Sequence, residues 1–407
     1  MQLGLFGGSF NPIHNGHVDM ARRAKSQFDL DSVVFMVAGD PPHKTLSGNV
    51  PAEARFAMVQ AALLGEEGLS ASRLELARPG KSYTVDTVRA VLAEMPGVEL
   101  SLIIGEDMLL NLPSWREVET LLKLVRVLVI ARPGISGDPE DAAQVLRKRY
   151  NARIEVAPFL GKDISSTHVR TCLHEARPIS GLVPPGVERL VYENAFYQEE
   201  AFAQKQEKLR AMLNKRRYEH SIGTMRCAIS LAARWGVDGK AARLAGLLHD
   251  CAKLPPERLV QLAAQYGLEP DAYEKENPGL MHDRLGACLA RDVYGVQEEA
   301  VLEAIRSHTY GKPDMTPLDE IIFLADKIEP TRDYPGVDTL RVLAETGLES
   351  AVLACMERVH AHLLEEKRPI KPEGEAARVA FRNRIEAHKR AGARTDIEPD
   401  QKMEVES

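Results

Sequence analysis

The sequence predicts an α/β domain with a doubly wound parallel sheet, followed by an all-α domain. Up to about Tyr197, short apolar runs alternate with amphipathic segments, which is typical of a parallel sheet covered by helices on both faces. From Tyr218 to about Leu364, nearly every segment has helical periodicity instead. The length of 407 residues also suggests two or three domains, at roughly 100–200 residues each.

In the first part, four apolar runs predict strands and four amphipathic segments predict helices. The strands are Gln2–Phe6, Ser32–Val37, Leu100–Ile104 and Val125–Ala131. The helices are Gly16–Phe28, Ala52–Leu64, Val85–Met95 and Trp115–Leu122. We place the domains at residues 1–197 and 198–370, with a charged and partly disordered tail over residues 371–407.

Composition excludes several classes of protein. An apolar fraction of 44% is that of a globular protein, and a net charge of -7 argues against a general nucleic-acid binder. The sequence contains no apolar run near the ~20 residues that span a bilayer. Five cysteines form no CxxC pair, so they predict buried thiols in a reducing cytoplasm and not a disulfide framework.

The first predicted strand leads into a glycine-rich turn with two histidines, Gly7-Gly8-Ser9-Phe10-Asn11-Pro12-Ile13-His14-Asn15-Gly16-His17. The glycines let backbone N–H groups approach a polyanion, and the N-terminus of the next helix favours negative charge. Because His14 and His17 are three residues apart, we expect their imidazoles to share one face and to donate to phosphate oxygens. A tight strand–helix turn with two exposed histidines is the alternative.

A second polar segment, Ile164-Ser165-Ser166-Thr167-His168-Val169-Arg170, lies near the end of the α/β domain. Its hydroxyl groups can cap a helix, and Arg170, one turn on, can bind a phosphate through two N–H groups. A helix cap alone would explain this segment. Together with the histidine turn, it predicts a two-sided clamp for a triphosphate.

The two segments resemble the paired signatures of the HxGH nucleotidyltransferase superfamily, which implies a Rossmann-like fold over residues 1–197. Further segments resemble bacterial nicotinate-mononucleotide adenylyltransferases: Pro41-Pro42-His43-Lys44, Arg55 with Met58, Ser82-Tyr83-Thr84-Val85-Asp86-Thr87, Gly105-Glu106-Asp107-Met108 through Pro113-Ser114-Trp115, and Ala131-Arg132-Pro133-Gly134. Asn11 departs from the pattern, since the family commonly has Asp there. A role that depends on that carboxylate is therefore not transferred.

The resemblance implies transfer of AMP from ATP to nicotinate mononucleotide, giving deamido-NAD and pyrophosphate in NAD biosynthesis. It implies that ATP, with Mg²⁺, is bound by Gly7, Gly8, Ser9, Phe10, His14, His17, Asp107, Ile164, Ser165, Ser166, Thr167 and Arg170. It implies that nicotinate mononucleotide is bound by Lys44, Ser82, Tyr83, Thr84 and Trp115. The indole of Trp115 would stack on the pyridine ring, although a core aromatic is the alternative. The implied catalytic residues are His14, His17, Lys44 and Arg170, because an in-line displacement needs only positioning and charge neutralisation.

The helical domain contains an ordered series of histidines and aspartates: His220, His249, Asp250, His282, His308 and Asp326. Histidine and carboxylate ligands without cysteine favour Fe, Mn or Mg over structural zinc. His249 and Asp250 follow the apolar stretch Ala245–Leu248, and burial of both without a partner would be costly. A single His-Asp pair alone is better explained by a solvated helix end. The full series favours a metal centre.

This series resembles that of the HD-domain metallophosphohydrolases. Gly246–Lys253, Ala304–Gly311 and Leu324–Arg332 resemble segments of the bacterial symmetrical diadenosine-tetraphosphate hydrolases in particular. The resemblance implies a dinuclear centre, Fe or Mn, with Asp250 as the bridging and catalytic carboxylate. Two such metals, about 3.5–4 Å apart, acidify a bridging water and neutralise the polyphosphate. Asp283-Arg284 departs from the Ala-Pro that often follows the mid-domain histidine.

We therefore expect a bifunctional cytoplasmic enzyme whose ligands are ATP, nicotinate mononucleotide and diadenosine tetraphosphate, with no nucleic-acid or membrane partner. In the alternative, the N-terminal domain adenylylates another phosphate acceptor such as phosphopantetheine. The helical domain is then a non-catalytic nucleotide sensor or a different nucleotide phosphohydrolase. The Ser82–Thr84 segment with Trp115 argues against the first alternative, and retention of all six candidate ligands argues against the second. The sequence leaves open whether the chain forms a homo-oligomer.

Overall fold

The computed structural model describes residues 1–40, 48, 50–131, 133 and 138–390, with the backbone alone at residues 389 and 390. The chain divides into two compact units. The α/β unit contains Met1–Leu173 and Ile179–Gln198, and the helical unit contains His174–Pro178 and the described part of Glu199–Ser407. Among the described residues, no helix combines the length and apolar character needed to cross a bilayer.

The α/β unit is built on six parallel strands in the order β3-β2-β1-β4-β5-β6. The strands are β1 (Gln2–Gly8), β2 (Ser32–Val37), β3 (Leu69–Ser72), β4 (Glu99–Gly105), β5 (Arg126–Ala131) and β6 (Ile154–Leu160). Leu3 of β1 pairs with Ser32 of β2 on one side and with Leu100 of β4 on the other. Because crossovers between parallel strands are right-handed, reversal of the strand order at β1 sends the helices of the two halves to opposite faces. The predicted doubly wound sheet is confirmed.

The helices of the α/β unit are α1 (Asn15–Gln27), α2 (Ala52–Ala62), α3 (Thr84–Glu94), α4 (Glu106–Asn111), α5 (Val118–Leu124), α6 (Pro139–Tyr150), α7 (Ser166–His174) and α8 (Pro185–Glu193), with a 3₁₀ turn at Leu112–Ser114. α7 thus extends one residue beyond the unit boundary at Leu173. Leu5, Leu102 and Val129 of the sheet pack with Val88 of α3 and Leu121 of α5 in one buried core. The sheet thereby holds its strand ends in fixed positions for a site.

Several local predictions differ from the structure, and the helices α4, α6 and α8 were not predicted. The sequence analysis missed β3 and β6, which are the two edge strands of the sheet. β3 has only four residues, and β6 contains Pro158, which an edge strand tolerates because one side of its backbone needs no ladder partner. The helix predicted over Trp115–Leu122 begins only at Val118, since Trp115 is extended and Glu117 adopts a left-handed backbone.

The helical unit contains α9 (Glu200–Met212), α10 (Lys215–Trp235), α11 (Gly239–Leu248), α12 (Pro256–Gln265), α13 (Ala272–Glu276), α14 (His282–Asp292), α15 (Glu299–Ser307), α16 (Pro317–Ile328), α17 (Val337–Thr346), α18 (Leu348–Glu365) and α19 (Pro372–Arg390), with a 3₁₀ turn at Pro278–Met281. Side-chain oxygens cap the N-termini of several of these helices: Asn214 accepts from the Arg217 N–H at 3.0 Å, and Asp238 accepts from the Lys240 N–H at 2.8 Å.

α19 lies in the segment predicted as a charged tail. It forms there because Ala377, Phe381 and Ile385 repeat every four residues and are buried.

Candidate nucleotide site and metal centre

The candidate nucleotide residues lie at the carboxyl edge of the sheet, where the strand order reverses between β1 and β4. Ligands of doubly wound folds bind in the crevice at this reversal. The histidine turn follows β1, and Asp107 lies in the first turn of α4, directly after β4. Apart from its chain neighbours, no atom of the described residues lies within 4 Å of a Cβ added at Gly7, so among these residues the end of β1 has open space beside its backbone. A Cβ at Gly8 would lie 3.0 Å from the Phe10 ring.

The two histidines of the turn are held against each other. His14 is the residue before α1, and the His17 ring stacks on it with 3.6 Å between centroids and 28° between planes. The His14 backbone N–H donates to His17 Nδ1 at 3.2 Å, so the neutral His17 ring carries its proton on Nε2. A Cβ at Gly16 would lie 3.0 Å from the His14 ring, which explains the glycine between them. The structure therefore fixes which nitrogen of the neutral His17 ring carries the proton.

The second polar segment is tied to the histidine turn by side-chain hydrogen bonds. Ser166 Oγ donates to the Pro12 carbonyl at 2.8 Å, and Arg170 Nη1 donates to the Asn11 carbonyl at 2.7 Å. Arg170 Nη2 also donates to Thr167 Oγ1 at 3.1 Å. Ser165 is the helix cap, since its Oγ accepts from the His168 N–H. The histidine turn and the second polar segment, the two predicted halves of the clamp, are thus adjacent. Arg170 connects them through its bond to the Asn11 carbonyl, a role separate from the predicted contact with a phosphate.

Two residues that the sequence analysis did not place in the site brace this turn. Arg55 is 1% exposed and donates to the carbonyls of Ser9 (2.6 Å), Ala38 (2.8 Å) and Gly39 (3.2 Å). Burial lowers the pKa of Arg55. The Tyr197 hydroxyl donates to Asn11 Oδ1 at 2.8 Å, a bond that an Asp carboxylate would accept equally well. The available signal for Arg55 was an arginine directly before the largely apolar stretch Phe56–Leu64.

The predicted acceptor residues lie at the start of α3 and beside the 3₁₀ turn. The Ser82 N–H donates to the Asp40 carbonyl at 3.0 Å, and Ser82 Oγ accepts from the Gly39 N–H at 3.3 Å, which leaves the hydroxyl proton for a ligand. Tyr83 immediately precedes α3, and Thr84 begins it. Trp115 is half-buried and packs against the core. Half-burial is compatible both with a role in the core and with stacking of the indole on a pyridine ring. The predicted Lys44, with the rest of its Pro41–Lys44 loop, and Arg132 and Gly134 lie outside the described residues.

The helical unit brings all six candidate metal ligands into one cluster. They form three overlapping groups whose ligand atoms lie within 4.8 Å of one another: His220–His249–Asp250, His249–His308–Asp326 and Asp250–His282–His308. Asp250 Oδ1 lies 3.4 Å from His282 Nε2 and 3.6 Å from His308 Nε2, whereas Oδ2 faces His249 Nε2 at 3.9 Å. The two oxygens of one carboxylate therefore face two different sets of histidines.

Helix ends set the tautomers of three of these histidines. Nδ1 of His249, His282 and His308 lies 2.7–2.8 Å from the backbone carbonyl three residues earlier, so each ring donates there and turns an unprotonated Nε2 toward the cluster. Burial, followed by the charge of Lys253, lowers the pKa of His282 to about 3. For Asp250, burial opposes ionisation, but the surrounding His249, His308 and His282 together with Lys253 outweigh it and hold the pKa of Asp250 well below its usual range.

Neutral imidazoles and ionised carboxylates are the forms that bind a metal. The cluster offers nitrogen and oxygen donors without sulfur, which suits borderline divalent cations. Cationic side chains surround it: Lys253 Nζ lies 2.9 Å from His282 Nε2, and Arg332 Nη2 lies 2.7 Å from Asp326 Oδ1. Arg284 of the Asp283-Arg284 departure pairs instead with Glu274 at 2.8 Å. The residues present therefore fit a divalent metal centre flanked by positive charge.

Comparison with known proteins gives separate matches for the two halves of the chain. The cytidylyltransferase-like family model matches residues 5–172, and the HD domain model matches residues 217–331. A probable nicotinate-nucleotide adenylyltransferase from Synechococcus sp. (strain JA-3-3Ab) is 41% identical over 201 residues, which cover 48% of this chain and 94% of that protein. A second one, from Pelobacter propionicus, is 38% identical over 214 residues, 49% of this chain and 99% of its own length.

Solved structures also resemble each half. A predicted HD superfamily hydrolase involved in NAD metabolism, from Clostridium acetobutylicum, is 36% identical, covers 45% of this chain and 97% of its own, and has a TM-score of 0.44. The nicotinic acid mononucleotide adenylyltransferase of Plasmodium falciparum, complexed with NaAD, is 18% identical, covers 48% of this chain and 97% of its own, and has a TM-score of 0.42. The sequence matches show that this chain belongs to the nicotinate-nucleotide adenylyltransferase family through its N-terminal half and carries an HD domain in its C-terminal half.

Proposed function

We propose that residues 1–197 transfer AMP from ATP to nicotinate mononucleotide, and that residues 198–370 hydrolyse diadenosine tetraphosphate to two ADP. The observation that carries the first activity is the His17 ring, whose Nδ1 accepts from the His14 N–H, so that the proton of the neutral ring is on Nε2. A fixed donor there stabilises negative charge that develops on the α-phosphate while pyrophosphate leaves. The names of the relatives support the same activity.

The residues around this donor have complementary roles in the proposal. Arg170 holds the second polar segment against the Asn11 carbonyl, so phosphates bound between the two segments meet donors from both sides. The braced turn loses little freedom when ATP binds, because Arg55 already fixes the Ser9 carbonyl. Mg²⁺ bound with ATP would supply further charge neutralisation at the triphosphate.

The proposed acceptor pocket lies between Ser82–Thr84 and Trp115. The Ser82 hydroxyl and the first-turn N–H groups of α3 are donors suited to a pyridine carboxylate. The half-buried Trp115 offers an aromatic surface for the pyridine ring. Phosphopantetheine has neither the carboxylate nor the aromatic ring, so this pocket favours nicotinate mononucleotide as the phosphate acceptor.

For the helical domain, the carrying observation is the convergence of His249, His282 and His308 Nε2 on the two oxygens of Asp250. Divalent cations bound by this cluster would supply charge against a polyphosphate and lower the pKa of a water. The side chains of Lys253 and Arg332, which contact Asp250 and Asp326, are 35% and 39% exposed and would contact phosphate oxygens. The choice of diadenosine tetraphosphate comes from the resemblance of the three ligand segments to symmetrical hydrolases.

A competition assay tests the acceptor. The full chain is given ATP, Mg²⁺ and equal amounts of nicotinate mononucleotide and phosphopantetheine, and the adenylylated products are separated. We expect deamido-NAD and pyrophosphate in equal amounts. If dephospho-coenzyme A were the main product, the acceptor would be phosphopantetheine and not nicotinate mononucleotide.

A second assay tests the helical domain. The full chain with Mn²⁺ is given diadenosine tetraphosphate, beside the Asp250→Ala variant. We expect two ADP per substrate from the parent chain and none from the variant. Tight binding of the substrate without turnover would favour a nucleotide sensor, and ATP with AMP as products would favour a different phosphohydrolase.

A further inference from the structure

We infer that Glu329 is a positioning residue that fixes the proton of His220 on Nδ1 and thereby turns Nε2 toward the metal centre. The inference rests on the proposed metal function of the cluster. Glu329 directly follows α16 and is 0% exposed, and its Oε1 lies 3.1 Å from His220 Nδ1. On the other side of the ring, His220 Nε2 lies 3.0 Å from Asp326 Oδ1 and 3.1 Å from His249 Nε2.

His220 needs such a partner because of where it lies in its helix. His249 and His308 follow the last residues of α11 and α15, where carbonyls have no helical N–H partner and can accept from Nδ1. His220 lies inside α10 (Lys215–Trp235), where the carbonyl one turn earlier is used by the helix itself. Its Nδ1–H therefore requires a side-chain acceptor, and Glu329 provides one.

Two further observations show that the position of Glu329 is built into the fold. A Cβ at Gly223, one turn after His220 on α10, would clash with Glu329 Oε2, so glycine makes room for the carboxylate. The Thr331 backbone N–H donates to Glu329 Oε2 at 2.7 Å, and the Thr331 hydroxyl donates to Oε1. Among the described residues, Glu329 belongs to none of the three candidate ligand groups. Its oxygens are used by His220 and Thr331, so it acts through His220 and not on the metal directly.

The test measures Mn²⁺ binding by the full chain after chelation, in the absence of nucleotide, with Mn²⁺ itself as the probe. Partners that orient a ligating histidine typically contribute 10–100-fold in metal affinity, so Glu329→Gln should weaken Mn²⁺ binding by about this factor. Glu320→Gln is the control: it makes the same substitution at a buried glutamate of α16, whose Oε1 accepts from Arg384 at 2.9 Å. Its Mn²⁺ affinity should stay within about twofold of the parent chain.

Double variants separate positioning from a general structural role. If Glu329 acts through His220, adding Glu329→Gln to His220→Ala should change Mn²⁺ affinity by less than about twofold, since coupled residues are non-additive. In the His308→Ala background, the same change should retain its full 10–100-fold effect. Gly223→Ala should reproduce the Glu329→Gln loss, because the added methyl displaces the carboxylate. Thermal unfolding of each variant without metal reports whether the helical domain remains folded.

The possible results are distinct. A parent chain that binds no Mn²⁺ would refute the proposed metal centre itself. A parent chain that binds Mn²⁺, with Glu329→Gln binding it equally well, would overturn the role of Glu329 alone. An equal loss from Glu329→Gln in the presence and absence of His220 would also overturn it, because the effect would then not pass through that ring.

Discussion

Replacement of His17 by alanine removes an imidazole donor of the candidate nucleotide site whose protonated nitrogen the structure fixes. In the parent chain, the bond from the His14 N–H to His17 Nδ1 leaves the proton on Nε2, and the stacked His14 ring holds the imidazole in place. Loss of one preorganised donor to a developing oxyanion typically lowers kcat by about 10²–10³, or about 2.7–4 kcal/mol of transition-state stabilisation. We expect a loss of that size in deamido-NAD formation, with a smaller change in the KM for ATP.

The assay follows deamido-NAD formation at saturating ATP and nicotinate mononucleotide, with diadenosine-tetraphosphate hydrolysis measured on the same sample. Hydrolysis should be unchanged, because its proposed residues all lie in the helical unit. His168→Ala is the matched control: this exposed histidine on α7 has Cys172 Sγ 3.7 Å from its Nε2. Transfer by His17→Ala within threefold of the parent chain would refute the reasoning from ring orientation to catalysis.

Three further predictions concern other parts of the chain. Trp115→Ala should raise the KM for nicotinate mononucleotide by about fivefold or more and the KM for ATP much less, because a stacking contact of about 1 kcal/mol with the pyridine ring is lost. Equal increases of both KM values in initial-rate assays would indicate a folding defect. Asp250→Ala should empty the metal centre, whereas His308→Ala should leave one metal bound and impair hydrolysis. Elemental analysis measures the metal content, and initial rates measure hydrolysis. A full metal content in the Asp250 variant would show that the cluster is not the active site. Burial raises the pKa of Glu320 to about 8 despite the nearby Arg384. The folded state therefore keeps a proton that the unfolded state releases near pH 4.5, and the free energy of unfolding falls as the pH rises from 4.5 through 8. In thermal unfolding, Glu320→Gln should therefore gain Tm relative to the parent chain between pH 6 and pH 9, and parallel curves would contradict the protonated state.

The sequence predicts the central strands well because they depend on strong local patterns, and the six residues of the candidate ligand series lie together in the structure. β1, β2, β4 and β5 are continuous apolar runs, as expected for strands buried on both faces. The edge strands β3 and β6 lack this pattern, since one side of each faces no neighbouring strand. α19 was missed for a different reason: its overall charge hides the stripe of Ala377, Phe381 and Ile385.

The residues that brace the two sites could not be predicted in the same way. Arg55 and Tyr197 contact the histidine turn across 46 and 186 residues of sequence, and Glu329 contacts His220 across 109. No local periodicity reports such distant pairs. Arg170 shows the same limit, because its residue type suits a phosphate while its bond to the Asn11 carbonyl depends on the fold. Sequence patterns thus indicate which chemistry is present, and the structure shows what holds it in place.

The most direct test of two activities in one chain is a single product analysis. The full chain is incubated with ATP, nicotinate mononucleotide, Mg²⁺ and Mn²⁺ together with isotopically labelled diadenosine tetraphosphate, and the nucleotides are separated and identified by mass. The account predicts unlabelled deamido-NAD with an equal amount of pyrophosphate, and two labelled ADP for each diadenosine tetraphosphate consumed. Absence of deamido-NAD, or recovery of the label as intact substrate or as ATP with AMP, would contradict it.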